Sequence, residues 1–590
     1  MHTITGDEPH YLVIADGLLP TFELEQTGPY TREFRNRTIV PGGLAPSNAV
    51  PSPSNTHAEE GPRGLFNVHN IGLPIILSVP YLLGGEIAAR VAMILMGAAI
   101  VWLLAQILLL TPLSSRMRFA VLFPLVIGMP LIPAATQIYP DLPGGLLCLL
   151  GVFILLKVAE NVAPAKLTIA SVALAYLPWL HIRYSLPMGI ILLAFAFQNR
   201  SRFSLQTIVM RLWLPAAVSV VLLASYNIYA FGNPTGPYSS GDIMVNRIAV
   251  MQFLGLLFDQ NQGIFIQQPL HFLGLLSVVA LFKKYAVAVV TTGLIALSTL
   301  GPNSTHWNLY GGWSFSGRFG WTAAVALLGL TSFAIAHLYQ HHKRATTVVI
   351  GIGLLIQLRI LWGIFVQKID LFPRTFDGWI GTYSTFWSTF ETWLPQWRDY
   401  RWAYSYVPNY VFIAIACGVA LWGYQNAVSS SRNRQLALSF AVVTLVITGA
   451  YSRFGDLPFP AQKWAASTLQ SKVGTVENLS RTVDATSGVG FITYGPYFSL
   501  PKGTYELGVR YSSSSDTSNV TLDAYGATTK TLIKSWPLTH TEGRPNEVMF
   551  VFSIDASQED KFEFRTSYSG TGEATIDWIS LRKVDKNFAE

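Results

Sequence analysis

Residues 86–111 read EIAARVAMILMGAAIVWLLAQILLLT, and this stretch decides the fold. Positions 91–105 carry no polar side chain, and Glu86, Arg90, Gln106 and Thr111 mark the ends of the run. A bilayer core is crossed by about 20 predominantly apolar residues in a helix. Eleven further apolar runs follow, at about 119–137, 142–157, 167–181, 185–198, 211–231, 269–282, 285–300, 319–338, 345–366, 408–424 and 436–452. The chain of 590 residues is 51% hydrophobic and 12% charged, where soluble domains carry about 25% charged residues. The reading is a polytopic α-helical membrane protein of about 12 spans.

The loops between the runs set its orientation. One set is short and basic: Arg116 and Arg118, Lys157 and Lys166, Arg200 and Arg202, Lys283 and Lys284, Lys343 and Arg344, Arg432 and Arg434. The other set, roughly 232–268, 301–318 and 367–407, is long and rich in Trp, Tyr, Gly and Pro. Basic loops stay in the cytoplasm, so the second set and both termini fall on the extracytoplasmic face of an inner or plasma membrane. The chain then begins outside with no span to carry it there, and one N-terminal span is expected to be missing. Residues 13–65 are polar and read as an outer loop, and 70–84, broken by Gly72, Pro74, Pro80 and Gly84, as a helix along the interface. Cys148 and Cys417 lie inside apolar runs and form neither a disulfide framework nor a metal-ligand spacing. The net charge of +7 is spread over short loops, which excludes nucleic acid as a partner.

After about 455 the period changes to two. Tyr505, Leu507, Val509 and Tyr511 alternate, as do Val520, Leu522 and Ala524, then Val548, Phe550, Phe552 and Ile554, then Ile576 and Trp578. Such strands predict an extracytoplasmic β-sandwich at the C-terminus. Three regions result: a first outer loop over 1–85, a transmembrane core over 86–454 and the sandwich over 455–590.

The chemistry is sought on the outer face. Gly6-Asp7-Glu8-Pro9-His10-Tyr11-Leu12 places two adjacent carboxylates beside the membrane. Locally, Asp7 would N-cap a helix and Glu8 favour its dipole; beyond that, a carboxylate pair at a membrane surface suits deprotonation of a hydroxyl. Asp141, in Gln137-Ile138-Tyr139-Pro140-Asp141, is a second acidic position, which either caps the next helix or shares the chemistry. His69 and Asn70 offer donors to a phosphate, and so does Arg183, in Leu177-Pro178-Trp179-Leu180-His181-Ile182-Arg183, unless it snorkels to the interface. Arg318 is a further phosphate candidate. Asp259, with Trp307 and Trp313, lies in loops where aromatic faces and polar groups suit a sugar, although aromatic belts also explain the tryptophans.

Taken in order, these motifs resemble the C-type glycosyltransferases, integral membrane enzymes whose sugar donor is linked to a polyprenyl phosphate. That group includes protein O-mannosyltransferases, the lipid A aminoarabinose transferase and mycobacterial arabinofuranosyltransferases, and the nearest resemblance is to its bacterial mannosyltransferase-like members. A GDEPHYL-type first loop is matched by Gly6 to Leu12, and a VHGPGLP-like stretch by Val68 to Pro74, with Asn70-Ile71 replacing Gly-Pro. A YPD site is matched by Tyr139 to Asp141, an LPWLHxR segment by Leu177 to Arg183, and a GGWSFxxR loop by Gly311 to Arg318. The resemblance covers roughly residues 1–450.

It implies Asp7 as general base, Glu8 as its positioner and Asp141 as a second acidic site. His69, His10, Arg183 and Arg318 would meet the donor phosphate. Tyr11, Asn70, Tyr139, His181, Asp259, Trp307 and Trp313 would contact the sugar or the acceptor. The reaction would be an inverting transfer to a hydroxyl on a glycan, lipid or protein. No nucleotide is needed, no cofactor is named, and a divalent cation is left open although no metal ligands are assigned. The C-terminal sandwich resembles carbohydrate-binding modules. Two rival readings are a transporter of lipid-linked intermediates, which should show repeat symmetry, and an inactive glycan-binding relative.

Overall fold

The computed structural model describes residues 4–157, 164–237, 247–305, 314–315, 317–366, 387, 393–397, 406–427, 462–477, 480–497, 500, 503–514, 519–554 and 561–584. The chain divides into two compact units, Met1–Arg374 with Gly381–Gly449, and Ala450–Glu590 with Thr375–Ile380. The first loop is no separate body: residues 1–85 belong to the helical unit.

The first helix, Glu8–Leu18, starts at Asp7 and takes Pro9 in its first turn, where a missing N–H goes unneeded. Thr27–Asn36 follows, then the hairpin of β1 (Ala58–Gly61) and β2 (Gly64–Asn67). Gly72–Leu109 is helical throughout except at Gly84 and Gly85, where the backbone breaks. The apolar stretch before residue 86 is thus set off from the run behind it. The run 119–137 is not one helix. It divides into Ser115–Val126 and Leu131–Thr136, because Pro130 lacks the N–H a continuous helix needs and bars helical backbone before it.

The helical segment His271–Ser304 doubles back on itself. His271 Nδ1 lies 2.7 Å from Thr331 Oγ1, and Asn303 donates to the Phe319 carbonyl at 2.8 Å. Thr331 and Phe319 are roughly 18 Å apart along their helix, whereas a straight helix would separate residues 271 and 303 by roughly 48 Å. The reversal falls at Tyr285, whose φ of −124° and ψ of 36° are not helical. The paired runs 269–282 and 285–300 are therefore two segments, with Lys283 and Lys284 at their bend.

Among the described residues, six helical segments are long and apolar enough to cross a membrane: Gly72–Leu109 and His271–Ser304, each with the break just described, and Leu205–Phe231, Arg318–His341, Lys343–Phe365 and Val407–Gln425. Asp141–Leu156 is apolar but shorter, and the expected run 436–452 lies outside the described residues. The helix Trp321–His341 runs through the middle, with 89% of its apolar window buried. Small residues make this possible. A Cβ on its Gly329 would meet Leu149 Cδ1 at 2.9 Å.

The second unit is built of strands. One sheet runs β10 (Asn546–Ile554), β7 (Gly503–Ser513), β12 (Ala574–Val584), β5 (Ser480–Val483) and β4 (Thr475–Glu477), with β3 (Gln462–Ala465) also on β12. The other runs β6 (Gly490–Thr493), β11 (Phe562–Tyr568), β8 (Val520–Gly526) and β9 (Thr531–Leu538). The alternation holds in β7, whose Tyr505, Leu507, Val509 and Tyr511 are all fully buried. It fails in β12. The ladder shifts register between Ile576 and Trp578, so the inward positions become Ile576, Ile579 and Leu581. A bulge of one extra residue reverses the phase that strict alternation would give Trp578.

Candidate active site

Asp7 ends a turn whose Gly6 has φ of +57°. It stands at the N-terminal boundary of Glu8–Leu18 without capping it by its side chain. The carboxylate points to a cation instead. Arg318 Nη1 donates to Asp7 Oδ2 at 3.0 Å, joining positions 311 residues apart. Arg318 comes from a 3-10 turn, Arg318–Gly320, preceded by Gly317 at φ of +91°. Its guanidinium lies 4.1 Å from the Tyr139 ring centre and 5.0 Å from that of Phe319, an arrangement in which planar stacking and a charge pair act together.

Two histidines approach the other oxygen. His69 Nε2 is 3.8 Å and His57 Nδ1 3.9 Å from Asp7 Oδ1. Burial by itself would raise the Asp7 carboxyl, but His69 and Arg318 outweigh it and hold the group well below the usual carboxylate range. Burial pushes the His69 imidazole down to about 4, against the pull of Asp7, so the ring is neutral at pH 7. His57 comes from residues 13–65, which sequence reading left without site residues. Its backbone is left-handed at φ of +51°, and its ring stacks on His10 at 4.3 Å.

His10, expected at the donor phosphate, is buried beneath this layer. Its Nδ1 lies 2.5 Å from the Tyr30 hydroxyl, which accepts from Asn67 Nδ2 at 2.7 Å. The His10 ring thus lies between Tyr30 and His57. Tyr11 packs its ring 4.8 Å from that of His69, and Tyr139 donates its hydroxyl to the Thr5 carbonyl at 3.1 Å.

The other two carboxylates are more deeply buried. The Asp7 side chain is 25% exposed, whereas those of Glu8 and Asp141 are 0% and 2% exposed. Glu8 accepts from the Thr5 amide at 3.0 Å and the Ile138 amide at 2.9 Å, and Arg90 lies 3.6 Å away. Arg90 also binds Glu86 at 2.7 Å and the Thr136 carbonyl. Glu8 therefore ties the helix that begins after Asp7 to the loop before Tyr139. Asp141, expected to share the chemistry, is the counter-ion of Arg183 at 2.5 Å and accepts from Tyr184 at 2.9 Å. Arg183 spends Nη1 on Asn303 at 3.1 Å. Its guanidinium lies 5.1 Å from Phe319, on which Arg318 also rests.

Asp259, expected at the sugar, is fully buried. It accepts from the Asn261, Gln262 and Trp397 amides at 2.9, 3.3 and 2.8 Å, which makes it the organiser of a loop. Asn70 donates to the Pro178 carbonyl at 3.4 Å, and His181 accepts from the Arg183 amide at 3.3 Å. Trp307 and Trp313 lie outside the described residues.

Around the Asp7–Arg318 pair, several buried nitrogens have no hydrogen-bond partner among the described residues: His69 Nε2, Arg183 Nε, Arg318 Nε and Gln137 Nε2. Gln137 belongs here because its Oε1 faces the Phe315 amide at 3.4 Å. Unpaired buried nitrogens of this kind are rare in folded proteins, and all four can donate toward an anion, the arginine and amide nitrogens as donors only and the imidazole in one of its tautomers. Asp7, His57 and His69 also place one ligand atom each within 4.8 Å of one another. A carboxylate with two imidazoles fits a divalent ion of the zinc or manganese type.

No family model matches the chain, and no curated protein matches it. Among solved structures, ArnT from Cupriavidus metallidurans bound to undecaprenyl phosphate is similar over 80% of this chain and 78% of its own, at 12% identity and a TM-score of 0.39. The same protein in its apo state is similar over 76% and 73%, at 12% identity and 0.37. The C-terminal CBM6 of LamC from Zobellia galactanivorans is similar over 21% of this chain and 99% of its own, at 15% identity and 0.17.

Proposed function

We propose that this chain is a membrane glycosyltransferase that moves a sugar from a polyprenyl-phosphate donor to an acceptor hydroxyl at the extracytoplasmic face, with inversion. The observation that carries this reading is the pairing of the partly exposed carboxylate, Asp7, with a buried cation, Arg318, amid buried nitrogens that lack partners. A phosphate is the anion such donors take up best. An acceptor hydroxyl beside it needs a base within hydrogen-bond reach.

The steps follow from these groups. The donor phosphate accepts from Arg318, from Arg183 Nε and from His69. Arg318 is then shared with a second anion, and its hold on the Asp7 carboxyl weakens. The acceptor oxygen attacks the anomeric carbon, its proton passes to Asp7, and the bond from that carbon to the phosphate oxygen breaks. The electron pair leaves with the polyprenyl phosphate, whose charge the arginines meet. One displacement inverts the centre. A divalent ion held by Asp7, His57 and His69 would take the place of the His69 contact and bring its own positive charge to the phosphate. The strand-rich unit, on the same reading, lies outside and holds glycan.

The test is incubation of membranes with a panel of radiolabelled polyprenyl-phosphate sugars, following label into envelope polymers, lipids and proteins. Asp7→Asn keeps the shape but cannot take the proton. It should lower transfer by about 10²–10⁴ with insertion unchanged. Near-normal transfer by that variant would remove Asp7 from the role of base.

A further inference from the structure

The helical body has a second polar place at the far end of its central helix. His337 follows Arg318 by 19 positions, about 28 Å of helix, which is close to the ~30 Å of bilayer hydrocarbon. A cavity of about 270 Å³ opens there. Leu281 and Phe333 wall it, and Thr111, Lys284, His337 and Gln340 form its polar rim. Lys284 and Gln340 are exposed, so the rim reaches the surface.

The charge at this end is one-sided. Arg116 and Arg118 follow the end of Gly72–Leu109, Lys283 and Lys284 stand at the Tyr285 bend, and Lys343 and Arg344 follow Trp321–His341. Neither 87–140 nor 271–366 contains an Asp or Glu. The segments that wall the cavity therefore bring these six cations to this end, and no carboxylate of their own. Arg118 Nη2 donates to the carbonyl of Thr111 at 3.1 Å, and Arg118 Nε is buried without a hydrogen-bond partner among the described residues.

We propose that this cavity binds the phosphate headgroup of an anionic phospholipid from the leaflet opposite the acidic cluster. The rim supplies Lys284 and the His337 and Gln340 side chains to the phosphate, while Leu281 and Phe333 cover the glycerol and the first acyl carbons. A free phosphate would use the rim alone. A lipid uses rim and wall together, and basic pockets between membrane helices take such headgroups. The volume lies below the ~300 Å³ at which sites for drug-sized ligands begin, which suits a headgroup and not a nucleotide.

The experiment is native mass spectrometry of the full chain in detergent, titrated with phosphatidylglycerol or phosphatidylcholine. Phosphatidylglycerol should bind the wild type more tightly. Lys284→Ala should weaken it about five-fold, the share of one surface cation, and Lys284→Arg should restore it. Leu281→Trp, which fills the cavity, should remove the preference in a chain that keeps its thermal unfolding temperature, and Arg344→Ala, off the rim, should leave it unchanged. Equal binding of the two lipids, or equal loss in Lys284→Ala and Arg344→Ala, would overturn the site. Displacement of the lipid by glycerol phosphate at equal concentration would also overturn it, since the ligand would then be a soluble anion.

Discussion

Replacing Arg318 by glutamine separates the two jobs assigned to it. The side chain is 8% exposed, makes a charged hydrogen bond of 3.0 Å to Asp7 and rests on two aromatic rings. Hydrogen bonds to charged groups contribute about 1.5–3 kcal/mol net. If the donor phosphate draws on this group in the ground state, Arg318→Gln should raise the donor concentration needed for half-maximal transfer by about 10- to 100-fold. Loss of the cation should also let the Asp7 carboxyl rise from its depressed value, so the acid limb of the rate profile should move to higher pH. Acceptor dependence should change little. Arg318→Lys should recover only part of the donor affinity, because an ammonium has no planar fork to lie between Tyr139 and Phe319. The assay is donor-concentration dependence and its pH profile in nanodiscs, with thermal unfolding as the check on folding. An unchanged donor requirement in a folded Arg318→Gln protein would refute the phosphate role and leave Arg318 as a counter-ion only.

Three further outcomes follow from the same geometry. Glu8→Ala strips a fully buried carboxylate from Arg90 and the Ile138 amide; breaking one side of a buried pair costs about 3–5 kcal/mol, so thermal unfolding should show a large loss, and a wild-type melting temperature would deny Glu8 its positioning role. Gly317→Ala puts a Cβ 2.4 Å from Gln267 Nε2 at φ of +91°; it should displace Arg318 and lower transfer far more than it lowers stability, and full activity would show that the turn does not set the arginine. The His69 imidazole is held at about 4 against an ordinary 6.5, so the unfolded chain binds more protons between those values and stability falls as pH drops through that window, by on the order of 3 kcal/mol; melting curves from pH 7 to 4.5 should show this, and a slope identical in His69→Asn would assign it elsewhere.

The fold was legible where a single period ran long. The apolar run at 86–111 and the alternation of β7 need no partner to be read. Where a proline or a bulge intervenes, as at Pro130 and beside Trp578, the phase is lost locally and only the packed chain restores it. The site was legible as residue types but not as pairs. Asp7 and Glu8 are neighbours at a helix start, where successive side chains turn by about 100°. One therefore faces Arg318 and the other Arg90, and nothing in Asp-Glu says which. Arg183 reads as a free cation until Asp141, 42 positions earlier, neutralises it. His57 had no signal at all. Its place depends on a hairpin that carries it over His10, which no local pattern predicts.

The ion pair of Asp7 and Arg318 gives the proposed reaction an order. While the pair is intact, the carboxyl is held far below neutrality and is a poor proton acceptor, since base strength falls with pKa. A donor phosphate that takes up Arg318 relieves that hold and makes Asp7 more basic at the moment the leaving group arrives. Linkage makes the effect reciprocal. Whatever neutralises Asp7 must strengthen phosphate binding, because Arg318 then has no competing carboxylate. Asp7→Asn, inactive as a base, should therefore bind the polyprenyl-phosphate donor more tightly than wild type. If the donor phosphate bound away from this pair, the same substitution would leave binding unchanged. Equilibrium binding of a radiolabelled donor to Asp7→Asn in nanodiscs decides between them: tighter binding supports a donor-gated base, and unchanged or weaker binding refutes it.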